Sequence, residues 1–185
     1  MFMIRRPTQS AIDAFLRRQY THQFSYPEVG ATRGQLPAGY TVDHNHVRLG
    51  HGGEAFRQAV ACLRSWQMFN LGWVQLFQPK TEIKTGATVA VLIHHFGFWS
   101  LNASRIIYVF EEARRHGFAY GTLQDHAEQG EERFSIEWME DDSVIYDILA
   151  FSKPRQWQAR LARPVCRLLQ RRFARDSMAA MRASF

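Results

Sequence analysis

The strongest constraint in the chain is an alternation that repeats on both sides of a short acidic tip. Phe134, Ile136 and Trp138 alternate with Arg133, Ser135 and Glu137, the period-two pattern of a strand with one buried face. Beyond Glu140, Asp141 and Asp142 a second alternation runs Val144, Tyr146, Ile148, Ala150. A three-residue loop at the tip sets Trp138 opposite Val144, Ile136 opposite Tyr146 and Phe134 opposite Ile148, so all the apolar residues share a face. A two-residue loop would set Glu137 opposite Tyr146, so the pattern selects one register. On the outer face the same register brings Asp147 near Arg133, as an ion pair. An antiparallel sheet with one oily face needs a cover, and an Arg-rich amphipathic segment begins near Pro154.

The remaining chain extends that sheet. Thr8 or Ser10 can cap a helix that turns Ile12, Phe15 and Leu16 to one side and ends near Tyr20. Residues 24–39 read as an ordered loop with Tyr26, Val29 and Leu36 to bury. Thr41 to Leu49 reads as a strand, and Gly52 and Gly53 open a helix to about Gln67. Runs at 73–77, 88–95, 101–110 and 118–124 read as further strands. Strands gathered in one block, without alternating helices, define an α+β class: a curved antiparallel sheet wrapped around a long C-terminal helix. The expected organisation is one domain over 1–185, with a helix and ordered loop in 1–39, the sheet with an inserted helix in 40–153, and the final helix in 154–183. Pro164 should kink or divide that helix.

Charge is concentrated at one end. From Lys153 onward there are nine Lys or Arg and one acid, Asp176; this is +8 against a whole-chain +6, leaving −2 for residues 1–152. Cys62 and Cys166 stand far apart and outside any CxxC spacing, which suits a reducing compartment. The N-terminal residues lack the apolar run of a signal peptide and no stretch is long enough to span a bilayer, so the expected location is cytoplasmic.

Several blocks carry a resemblance: YPEVGATRG (26–34), VRLGHG (47–52), LRSWQMF (63–69), GFWSLNASRIIYV (97–109), FAYGTLQDHAEQGEERF (118–134), YDILAFSKP (146–154) and LLQRRFARDSMAAM (168–181). Together they resemble the domain of unknown function 1990 family, itself similar to the START-like or polyketide-cyclase-like helix-grip superfamily. Lys153 stands where that family's pattern suggests Arg, which keeps the positive charge. The resemblance implies a hydrophobic ligand cavity between sheet and C-terminal helix, and it brings no catalytic residues with it.

The residues themselves offer a ligand site and little else. The strand at 118–126 is unusually polar. A two-residue turn at Gln129-Gly130 turns Leu123 and Asp125 inward; a three-residue turn turns Thr122, Gln124 and His126 inward. Either way polar groups meet an apolar wall, where they can orient a ligand. The expected lining is Tyr120, Thr122, Gln124, His126, Phe134, Trp138, Tyr146 and Trp157, and the acid–base candidates are His126, Asp125 and Tyr120. His126, Glu128, Glu131 and Glu132, with Asp125, read as a charged hairpin tip that discourages edge association, so neither a metal nor a cofactor is expected. Gly50 to Ala55 fits G-x-G-x-x-A formally, but antiparallel runs replace the second parallel strand that a dinucleotide fold requires. In the last helix Trp157, Leu161, Val165, Leu168 or Leu169, and Phe173 form the expected inner stripe. No base-stacking aromatics are interleaved with its arginines, which disfavours nucleic acid.

The leading expectation is therefore an intracellular protein, monomer or weak dimer, that binds a small apolar or lipid-like molecule in a cavity of several hundred Å³. A lyase, cyclase or hydrolase of the same fold is the alternative. The third is a module whose basic helix makes peripheral contact with acidic membrane or nucleic acid.

Overall fold

The computed structural model describes residues 2–78, 82–155 and 163–185. Its strands are β1 Phe2–Met3, β2 Thr41–His51, β3 Val74–Phe77, β4 Thr88–His95, β5 Phe98–Glu112, β6 Arg115–Thr122, β7 Glu128–Trp138 and β8 Ser143–Pro154. The helices are α1 Gln9–Gln19, α2 Gly52–Arg64 and α3 Arg163–Ala183. Seven strands form one curled antiparallel sheet in the order β2-β8-β7-β6-β5-β4-β3, and β1 pairs with β5.

The β7–β8 register is the one the alternation selects: Trp138 pairs with Val144, Ile136 with Tyr146 and Phe134 with Ile148. Met139 N–H donates to Ser143 O at 2.8 Å and closes a loop of three residues, with Asp142 at φ 68°. Asp142 O then accepts from Gly52 N–H at 2.9 Å and sets the start of α2. On the outer face Arg133 Nη2 donates to Asp147 Oδ1 at 3.0 Å, the expected pair.

The neighbouring β6–β7 register differs from both expectations. Phe118 pairs with Phe134 and Tyr120 with Glu132, so Gln129 and Gly130 belong to β7 and the connection spans residues 123–127. Glu128, Glu131 and Glu132 consequently lie within a central strand and not at a solvated hairpin tip. Gly130 explains part of the shift. Its φ is 156°, and a Cβ there would stand 2.0 Å from Phe151 O, so β8 can pair closely only because that atom is missing. Gly130→Ala should cost roughly 2–3 kcal/mol, read from urea unfolding. A midpoint equal to wild type would show that the strands separate there without penalty.

Two apolar layers lie on opposite faces of the sheet. Val89 and Val91 join the layer beneath α2 and α3 with Phe118, Phe134, Ile136, Tyr146 and Met181. Ala90 and Leu92, one residue out of phase, join Ile12, Phe15 and Leu16 of α1 with Leu101, Ala103 and Leu123. This double coverage accounts for the unbroken apolar run at 89–93. Thr8 caps α1 as expected, its Oγ1 accepting from Ala11 N–H at 3.3 Å.

The inner stripe of α3 departs from expectation in part. Of the expected residues Phe173 packs on the core and Leu169, not Leu168, lines the cavity, whereas Val165 and Leu168 are exposed. The buried positions Ala174, Ser177 and Met181 extend the stripe beyond the apolar pattern, with Ser177 facing inward and bonding Tyr146 Oη at 2.9 Å. Pro164 falls in the first turn of the described helix, and Trp157 and Leu161 lie outside the described residues.

Candidate functional site

Between the concave face of the sheet and α3 lies a cavity of about 380 Å³, within the range of small-molecule sites. Phe69, Val91, Ile93, Ile148, Phe173 and Met178 supply oily wall. The parity that turns Phe134 inward on β7 also turns Glu132 inward, where it meets Tyr120 from β6. Tyr120 Oη donates to Glu132 Oε2 at 2.8 Å. Burial outweighs that hydrogen bond and raises the Glu132 carboxyl from 4.5 to about 7. Burial and the same carboxylate push the Tyr120 hydroxyl well above its usual range.

A second polar group sits toward the N-terminal end of α3. Gln170 Nε2 donates to Glu128 Oε2 and, at 3.0 Å, to Ser152 Oγ. Burial raises Glu128, and burial together with Glu128 lifts the Cys166 thiol to about 11, a value that keeps it an un-ionised thiol at neutral pH. On β2 Asp43 accepts a bidentate pair from Arg167, with Nη2 to Oδ1 at 2.7 Å. His126 Nδ1 accepts from Glu128 N–H at 3.0 Å, which leaves the ring proton on Nε2. Burial lowers this imidazole to about 4, so it is neutral at physiological pH. The opposite wall carries Ser100, Asn102 and Ser104 of β5.

Of the residues expected to line the cavity, Tyr120, Thr122 and His126 do so. Thr122 sits at its edge, its Oγ1 accepting from Gly130 N–H at 3.0 Å. Gln124 is exposed, and Asp125 turns toward α1 to accept from Gln19 Nε2 at 2.7 Å. Both belong to the connection that the register moved out of the strand. Phe134 is fully buried against Phe69, Phe118 and Phe173, and Tyr146 is fixed to Ser177, so both form core beneath α3. Trp138 stacks on Phe56 of α2 at 6.0 Å and donates to Asp142, away from the cavity. Trp157 lies outside the described residues. Glu132, Glu128, Cys166 and Gln170 are among the wall residues that no sequence expectation places there. Among the described residues no group of three or more His, Cys, Asp or Glu side chains could hold a metal ion, and no helix is long and apolar enough to cross a membrane.

The curled antiparallel sheet, the long C-terminal helix across it and the cavity between them define an α+β helix-grip fold of the START-like class. A START superfamily protein from Mycobacterium smegmatis has a similar fold, with TM-score 0.52 and 12% identity over 78% of this chain and 96% of that chain. The chain belongs to the family described as Domain of unknown function (DUF1990), whose pattern matches residues 25–180. It is similar to a UPF0548 protein of Dictyostelium discoideum, 36% identical over 96% of this chain and 92% of that one. A UPF0548 protein of Deinococcus radiodurans is 37% identical over 95% of this chain and 94% of its own length.

Proposed function

We propose that this protein binds a small, largely apolar molecule in the cavity beneath α3, oriented by the Tyr120–Glu132 pair. The observation that carries this reading is the cavity itself. A sheet and helix with only a packing role would fill that space with side chains at near-crystalline density. Here about 380 Å³ stays open, its wall mostly apolar with polar groups on the Glu132 side and along β5. Ala150 lines the space, so Ala150→Phe should fill part of it. The expected result is at least a roughly tenfold loss of affinity for an environment-sensitive apolar dye, with circular dichroism and melting temperature near wild type. Equal dye binding by the folded variant would place the dye elsewhere and remove the support for the cavity.

One observation favours an enzyme of the same fold as a second reading. A carboxyl that titrates near 7 beside a tyrosine hydroxyl is suited to general acid–base work. Asp125, outside the cavity, is not suited to it. In that case Glu132→Gln abolishes turnover of the bound molecule.

A further inference from the structure

The hydrogen-bond donors on the Glu132 side of the cavity are largely spoken for, and the acceptors are not. Tyr120 spends its hydroxyl proton on Glu132. Gln170 spends its amide protons on Glu128 and Ser152. Arg167 spends its guanidinium on Asp43 and Gln170. Glu132 Oε1 has no hydrogen-bond partner among the described residues, and neither Glu132 nor Glu128 has an ion-pair partner there. What remains open toward the space is therefore a carboxylate oxygen and the lone pairs of Tyr120. His126 Nε2–H and the neutral groups of β5 are the exceptions. Arg171 and Arg175 reach the cavity only from α3 with exposed head groups, and Arg175 is already paired with Asp176.

A wall of acceptors at a half-buried carboxyl is completed by a ligand that brings both donors and positive charge. We infer that the ligand of this cavity carries a protonated amine on an apolar body, and that Glu132, backed by Tyr120, is the residue that selects it. The inference rests on the cavity-binding reading and adds the chemical class of the ligand. It also gives the raised carboxyl a purpose. Among the described residues, Tyr120 from β6, Asp43 with Arg167 from β2 and α3, Tyr146 from β8, and Glu128 and His126 along the same wall offer Glu132 no free cation. An ammonium group supplies one, favours the ionised carboxylate and drives its proton off on binding.

The probes are n-octylammonium, n-octanol and n-octanoate, which share a chain length and differ in head group. Isothermal titration calorimetry at pH 7 should show wild type binding n-octylammonium about tenfold or more tighter than n-octanol, the scale of a charge-assisted hydrogen bond. n-Octanoate should bind weakest. Glu132→Gln keeps a hydrogen-bonding group and removes the charge, so it should bring the ammonium and the alcohol within about twofold of each other. Should the variant fail to fold, wild type still decides the matter. Titrations in buffers of different ionisation enthalpy should show net proton release with n-octylammonium and none with n-octanol. Equal binding of ammonium and alcohol without proton release overturns the amine assignment and leaves cavity binding standing. Preference for n-octanoate overturns it as well and moves selection to the arginines of α3. Failure of all three probes and of the apolar dye overturns both readings.

Discussion

Glu131→Ala should destabilise the protein by roughly 3–5 kcal/mol, the cost of stranding several buried donors at once. Glu131 lies one residue from Glu132 and points to the opposite face of β7, where it is 3% exposed. Its Oε2 accepts from Tyr26 Oη at 2.9 Å and from Gly30 N–H at 2.7 Å. Its Oε1 accepts from Thr32 N–H at 3.0 Å and from the Thr32 hydroxyl. With the Thr32 proton spent there, Tyr108 Oη donates to Thr32 Oγ1 at 2.7 Å. Gly30 has φ 91°, a left-handed conformation that glycine adopts without strain and that aims its N–H at the carboxylate. One side chain thus holds the loop at 24–34 against β7 and β5, and Arg133 adds a bond to Thr32 O at 3.1 Å. Glu131→Gln should cost less than Ala. If the new amide stands at Oε1, the Thr32 hydroxyl can turn to accept from it and only Thr32 N–H is left opposed. Urea unfolding measures the order, and hydrogen exchange at Gly30 and Thr32 should accelerate selectively in both variants. A Glu131→Ala midpoint within about 1 kcal/mol of wild type would mean that water replaces the carboxylate without penalty.

The same loop shows what the chain states openly and what it conceals. Tyr26, Val29 and Leu36 suggested a loop tied down by apolar burial. Tyr26 is buried, but Val29 is 40% exposed, and the tie is a carboxylate a hundred residues away. Period-two patterning reveals β7, β8 and their register because both strands alternate cleanly across a loop whose length fixes parity. It fails at β6–β7, where the connection is polar and the close approach depends on Gly130, a residue that reads as a turn when taken alone. A glycine that reads as a turn makes the acids beside it read as a charged tip. Yet the signal for Glu132 was present: it stands two residues before Phe134, on the face already assigned to the interior. Tyr120, Thr122 and His126 share the parity that only the three-residue turn sets inward, whereas Leu123 and Asp125, which the two-residue turn favours, face α1. Gln170 and Ser177 carried no apolar signal at all, and their inward positions follow from the 3.6-residue repeat of α3 combined with partners on β7 and β8.

Stability should be nearly flat between about pH 4.5 and 6.5 in wild type and steep, with opposite signs, in two single variants. Glu132 rises from 4.5 unfolded to about 7 folded, so over that window the native state keeps a proton that the unfolded chain releases. Its contribution is complete below pH 4.5 and is lost as pH rises through about 7. His126 falls from 6.5 to about 4, so the unfolded chain takes up a proton that the native state refuses. That contribution is complete above pH 6.5 and is lost as pH falls through about 4. Burial drives both, and the two slopes oppose each other across the shared window. Raised Glu128 adds to the first, while lowered His95 and His116 add to the second. Glu132→Gln removes the first term, so the variant should lose roughly 3 kcal/mol on acidification across the window. His126→Asn keeps an acceptor for Glu128 N–H and removes the second term, so it should lose a similar amount as pH rises. The double variant should return toward the flat profile. Chemical denaturation at half-unit pH intervals reads all four curves. If both single variants run parallel to wild type, burial at this wall does not govern the titration of either group, and the cavity is wetter than its side chains imply.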